Sequence, residues 1–98
     1  MRSNMMDRPL LVSSIIEHAR TTHTNTEIGS RRCEGDIHRY TLAESAARAK
    51  KLANALNQNG VLKSDRIATR AWNDYRHYAL YFGVAGMGAV LHTINPRL

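Results

Sequence analysis

Apolar and polar positions recur along this chain with two periods, and the switches between them outline its elements. After Pro9, the stretch "LLVSSIIEHARTTH" sets Leu11, Ile15, Ile16 and Ala19 at helical spacing. That spacing predicts a helix with one apolar stripe turned toward a core. "TEIGSRR" and "IHRYT" then have strand character, and the intervening "CEGD" carries the Gly35–Asp36 pair suited to a hairpin turn. Thr41 opens the next helix, with Glu44 completing a capping box in which hydroxyl and carboxylate each satisfy an otherwise unpaired backbone N–H. Leu42, Ala46, Ala49, Ala53 and Leu56 share one side of this helix, and Glu44 and Arg48 can pair on the other. Gly60 is expected to end it in the left-handed conformation.

"DRIATRAW", residues 65–72, predicts a strand. Asn73 is the expected cap of a helix through "DYRHYALYFGVAGM", and "AVLHTI" the buried strand that follows. Strand, helix and strand within so short a stretch predict a right-handed βαβ unit and hence a parallel sheet. The fold class is therefore α/β: an N-terminal helix, a β-hairpin, a helix, then a βαβ unit. Repeats, low-complexity tracts and linkers are absent, so residues 9–98 read as one unit without an internal boundary. Residues 1–8 read as a flexible leader, and Met5–Met6 offers a second translation start.

The glycines of "YFGVAGMGAVLHTINPRL" admit three readings. A phosphate loop is excluded by position, because phosphate is held at helix N-termini and these glycines close a helix at its carbonyl end. A membrane span over residues 78–94 would have roughly the minimum length of 17, but it contains His92 and three glycines. The remaining reading is a joint. Gly83 and Gly86 would let the helix backbone approach the sheet, and Gly88 would end the helix and turn the chain into the buried strand.

Composition changes this picture little. At 43% hydrophobic and 22% charged residues the chain is ordinary globular protein. The net charge of +6 could suit nucleic acid, but the basic residues are scattered, with Arg31–Arg32 and Lys50–Lys51 the longest runs. A solvated surface is the favoured reading, and no specific nucleic-acid partner is expected. Cys33 is the only cysteine, which excludes an intramolecular disulfide and fits a reducing compartment; in the turn "RRCEGD" it reads as an inert exposed thiol. No signal peptide is evident, and a cytoplasmic location is expected.

Candidate chemistry is sparse. His18, His23, His38, His77 and His92 include no pair with metal-ligand spacing on one helical face. His77 can face Asp74 in a surface hydrogen bond, and His92 reads as a satisfied histidine on a buried strand. Tyr75, Tyr78, Tyr81 and Phe82 have the spacing of helix packing before that of base stacking.

Several motifs carry a resemblance: "AWN" followed by Arg76–His77, then "GMGAVLHTINPRL", and less closely "RYTLAESAARAKKLANAL". From near Met6 onward, the chain resembles the N-terminal segment of AMP-forming acyl-CoA synthetases (fatty-acid–CoA ligases) of the adenylate-forming superfamily. Leu42, Ser45 and Ala85 depart from the family pattern at packing positions. The resemblance implies an incomplete part of a larger N-terminal domain, either a truncated reading frame or a cut fragment. It implies, for a full-length member, adenylation of a fatty acid by Mg·ATP and transfer of the acyl group to CoA. The phosphate loop, the nucleotide-binding set and the catalytic lysine of such enzymes lie downstream of the matched region. No catalytic, cofactor-binding or metal-ligating residue is therefore assigned, and the fragment alone is expected to be inactive and to bind no cofactor. Trp72, Asn73, His77, Gly88, Asn95 and Arg97 are the motif positions expected to matter as scaffold. The alternatives are a small basic protein-interaction module or a non-specific nucleic-acid binder. Self-association through an exposed sheet edge is a further expectation.

Overall fold

A computed structural model describes residues 3–98. The elements run α1 (Val12–Thr22), β1 (Glu27–Arg31), β2 (Ile37–Thr41), α2 (Leu42–Gln58), β3 (Arg66–Arg70), α3 (Tyr75–Gly86) and β4 (Val90–Ile94). Of the expected leader, Met1 and Arg2 lie outside the described residues, and residues 3–10 are exposed without helix or strand.

Strands β1 and β2 pair antiparallel with Gly29 opposite Arg39. Their turn closes through Gly35, at φ 95°, the left-handed region where a glycine meets no steric penalty. Helix α2 starts where β2 stops. The Thr41 hydroxyl oxygen accepts the Glu44 N–H at 3.2 Å. The Glu44 carboxylate accepts from that hydroxyl at 3.3 Å, so only half of the expected capping box forms. Carbonyls of Thr26 and Thr24 take the N–H groups of Leu42 and Ala43. The expected Glu44–Arg48 pair is absent among the described residues; the Arg48 guanidinium lies 5.0 Å from the Tyr75 ring centroid instead.

Strands β3 and β4 pair in parallel, Arg66 beside Val90 through Arg70 beside Ile94, with α3 as the crossover. Helices α2 and α3 end alike. Gly60 N–H bonds Asn57 O and Val61 N–H bonds Leu56 O; Gly88 N–H bonds Ala85 O and Ala89 N–H bonds Val84 O. Each is a Schellman closure with glycine at positive φ, 89° and 85°.

Part of the core lies where α2 crosses α3, and it is built from small residues: Ala46, Ala49, Ala79 and Gly83 are buried. Gly83 faces α2. A Cβ there would stand 3.1 Å from the Ala49 carbonyl oxygen. Gly86 faces Ser13 of α1. The glycines thus admit helices, not the sheet that the sequence suggested; α3 is wedged between two helices on that side. Two further expectations fail on burial. In α1, Ile16 and Ala19 are half-buried, but Leu11 and Ile15 are exposed, Ile15 at 64%. Nor is β4 a buried strand: Val90 and His92 are exposed. Among the described residues no helix is long and apolar enough to cross a membrane.

Candidate functional site

Five of the six motif positions gather at one end of the βαβ unit. Trp72 and Asn73 lie in the connection leaving β3, His77 in the first turn of α3, and Asn95 and Arg97 just after β4. They border a crevice of about 540 Å³ outside the carboxyl ends of the two strands. Gly88 sits at the opposite end and serves the helix-to-strand turn.

The order of this end comes from His77. Its ring is buried, 4% exposed, and both nitrogens are engaged. Nε2 lies 3.1 Å from the Thr69 hydroxyl, and Nδ1 lies 3.2 Å from Asn73 Oδ1. An amide oxygen only accepts, so the proton sits on Nδ1 and the Thr69 hydroxyl donates to Nε2. The ring therefore pins the end of β3, the following loop and α3 to one another. This corrects the expected surface bond to Asp74. Asp74, not Asn73, is the cap: its carboxylate accepts the N–H groups of Arg76 at 2.9 Å and His77 at 3.2 Å. Its β-region backbone and short acceptor suit that position, while Asn73 is drawn to the imidazole. Thr69 was missed in the sequence. The spacing Thr69, Asn73, His77 was the available signal, but a strand, a loop and a helix must fold together before it means proximity.

Across the cleft between β1 and α3 lies a second cluster. Tyr75 stacks on His38 at 3.8 Å between centroids, nearly parallel at 8°. Its backbone N–H bonds the Ser30 hydroxyl at 2.8 Å. Arg76 reaches from α3 to Glu34 of the hairpin turn at 2.8 Å, and Arg32 pairs with Asp36 at 2.7 Å. These guanidinium groups hold the Glu34 and Asp36 carboxyls below the usual carboxylate range. Arg76, with Arg32 second, likewise holds the Tyr75 hydroxyl below the usual phenol range. Burial raises Tyr78, with Tyr40 adding to the effect. The cluster ties the hairpin to the βαβ unit.

Neither cluster offers a reacting group. Both His77 nitrogens are committed to fixed partners. The first-turn donors of α3 are taken by Ser30 and Asp74, and those of α2 by Thr41, Thr26 and Thr24, so the N-termini of these two helices are not free to receive the phosphates of ATP. No group of three His, Cys, Asp or Glu among the described residues could hold a metal ion. Cys33 is exposed in the hairpin turn. These residues do not fit a Mg·ATP site.

Comparison with known proteins places the fold and its motifs. The family model described as AMP-binding enzyme matches residues 16–98. The chain is 46% identical over its whole length to 3-methylmercaptopropionyl-CoA ligase of Ruegeria lacuscaerulensis, of which it covers 18%. It is 45% identical over its whole length to the medium-chain-fatty-acid–CoA ligase of Ectopseudomonas oleovorans, again covering 18%. The long-chain-fatty-acid–CoA ligase of Thermus thermophilus is 46% identical over 98% of the chain and 18% of the relative. Among solved structures, the inhibitor-bound N-terminal domain of FACL13 from Mycobacterium tuberculosis superimposes with a TM-score of 0.80 at 27% identity. That match covers 90% of this chain and 22% of the other. The α/β architecture is thus part of such an N-terminal domain, and the chain spans about 18% of the length of the curated relatives just named. With a matching family model over most of its residues, this chain belongs to the AMP-binding enzyme family.

Proposed function

We propose that this chain forms part of a fatty-acid–CoA ligase, an enzyme that uses ATP to activate a fatty acid and join it to CoA. The observation that carries the reading is sequence identity of 45% and 46%, sustained along essentially the whole chain, with ligases named for medium- and long-chain fatty acids. Within such an enzyme these residues contribute framework. Trp72, Asn73, His77, Asn95 and Arg97 shape one strand end, and Gly88 sets the path into β4. ATP, Mg²⁺, CoA and the fatty acid are partners of the whole ligase, whose reacting groups lie elsewhere in it; a cytoplasmic setting suits them. The engaged N-termini of α2 and α3 and the scattered basic residues support this division of labour.

Two assays test it. The chain alone, given ATP, Mg²⁺, CoA and fatty acids, is expected to release no pyrophosphate above a boiled control; turnover that copurifies with it overturns the framework role. Exchanged for the matching segment of the Thermus thermophilus ligase, it is expected to leave activity within about tenfold of the parent. A folded but inactive exchange protein overturns the ligase reading.

A second reading applies to the chain by itself. Among the described residues each strand of the two-stranded β3–β4 sheet has an unpaired edge, and Val90 is exposed. Such an edge favours self-association. Light scattering over a concentration series is expected to find the mass rising; a constant monomer removes this reading.

A further inference from the structure

The crevice at the carboxyl ends of β3 and β4 has a chemical bias set by its own hydrogen bonds. Asn73 and Asn95 both border it, and each has its amide oxygen occupied. Asn73 Oδ1 takes the His77 Nδ1 proton at 3.2 Å. Asn95 Oδ1 accepts the Arg97 backbone N–H at 3.0 Å. Neither NH₂ group has a partner among the described residues, so each amide offers free donors beside the remaining lone pair of its oxygen.

The other members lean the same way. Trp72, 51% exposed, carries an indole N–H that can only donate. Arg97 forms no ion pair among the described residues; its guanidinium lies 5.8 Å from the Trp72 ring centroid. Thr93 and Tyr81 bring hydroxyls, which donate as well as accept, and no Asp or Glu among the described residues lines the crevice. At about 540 Å³ it matches the size of small-molecule sites. Its position, outside the carboxyl ends of parallel strands, is where open α/β sheets receive ligands.

We propose that this crevice binds the oxyanion of a small molecule, a carboxylate or a phosphate. Arg97 supplies the charge, and the NH₂ groups of Asn73 and Asn95 orient the oxygens. His77 is a positioning residue. Its Nδ1 lies 3.2 Å from the Asn73 oxygen while Nε2 is held by Thr69 at 3.1 Å, so the ring anchors the oxygen side of the amide and leaves the NH₂ for the ligand. A buried ring that fixes the orientation of a rim amide distinguishes this crevice from an incidental surface hollow.

Trp72 is the only tryptophan in the chain, so its fluorescence reads the crevice directly, without reference to ligase activity. The full chain is titrated with sodium pyrophosphate, with octanoate, and with sodium chloride at matched ionic strength. A saturable change with pyrophosphate or octanoate, and none with chloride, is expected; the anion that saturates identifies the phosphate or the carboxylate source. Asn95→Asp keeps an oxygen for the Arg97 N–H but replaces the donor with a negative oxygen. It is expected to weaken binding at least about tenfold, as is Arg97→Gln. Lys51→Gln, which removes a charge elsewhere, is expected to leave binding unchanged. Far-UV circular dichroism checks each fold, with Asn73→Asp replacing a variant that does not fold. Overturning results are absence of saturation with both anions, equal saturation with chloride, or equal weakening by Lys51→Gln and Asn95→Asp.

Discussion

Val84 and Val90 flank the same helix-to-strand joint. Val84 is fully enclosed, at 0% exposure, on the face of α3 that also carries His77. Val90 opens β4 at 50% exposure with an unpaired strand edge beside it. The contrast extends to their surroundings. At the adjacent Gly83 on the α2 side, a Cβ would already stand 3.1 Å from the Ala49 carbonyl oxygen. Around Val90 and along Leu11 and Ile15 of α1, apolar side chains of equal size face outward. Burial of an apolar residue therefore depends on a neighbour to cover it, and hydrophobic periodicity only identifies which face is available for covering.

Overfilling the tight side should have the largest effect. Gly83→Leu places a branched side chain where even a Cβ meets the Ala49 carbonyl oxygen at 3.1 Å, at an expected cost of about 3 kcal/mol. Gly86→Leu, whose Cβ would meet only Ser13 at 4.0 Å, should stay within about 0.5 kcal/mol of the parent. Denaturant midpoints decide between them, and equal losses would mean that α3 does not pack on α2 through Gly83.

The two valines come next. Val84→Ala is expected to cost about 2 kcal/mol through lost burial and a residual void, and Val90→Ala less than about 1 kcal/mol. A larger loss at Val90 would show that β4 is covered in solution, by a second copy or otherwise. Dilution would then separate the two cases.

The joint between the two regions can be tested in the same way. Gly88→Val forces a β-branched residue to φ near 85° and should cost about 1–2 kcal/mol. Gly29→Val should be near neutral, since β1 suits valine and the added Cβ would meet only the end of the Arg39 side chain at 3.9 Å. Equal shifts in the denaturant midpoints would place the end of α3 elsewhere.

The smallest expected effect is electrostatic, where the hairpin meets α3. Glu34 and Asp36 have depressed folded-state pKa values, each from its arginine partner. Their stabilisation is complete above the unfolded carboxylate range and is lost as pH falls through the folded values. These groups are solvent-exposed and screened, so the effect is small and fades with salt. Glu34→Gln should flatten the acid limb of a stability–pH profile slightly at low salt. An unchanged limb would mean that the Arg76 contact does not persist in solution.

Much of the fold was legible because its signals are local. Gly35, Gly60 and Gly88 mark turns whose backbone angles disfavour other residues, and Thr41 with its helix needs only a few neighbouring residues to be read. The resemblance carried by "AWN", Arg76–His77 and "GMGAVLHTINPRL" likewise needed only the order of residues, and it led to the family. Tertiary structure alone decided the rest. It chose Asp74 over Asn73 as the cap because His77 claims the Asn73 oxygen, turned Gly83 toward a helix, and left Ile15 and His92 uncovered. It also brought Trp72 against Arg97 from two separate loops. Helix ends and turns depend on backbone geometry over a few residues, which sequence specifies directly. Burial and convergence at the strand ends depend on which distant surface arrives to cover or complete a face, and only the packed chain determines that.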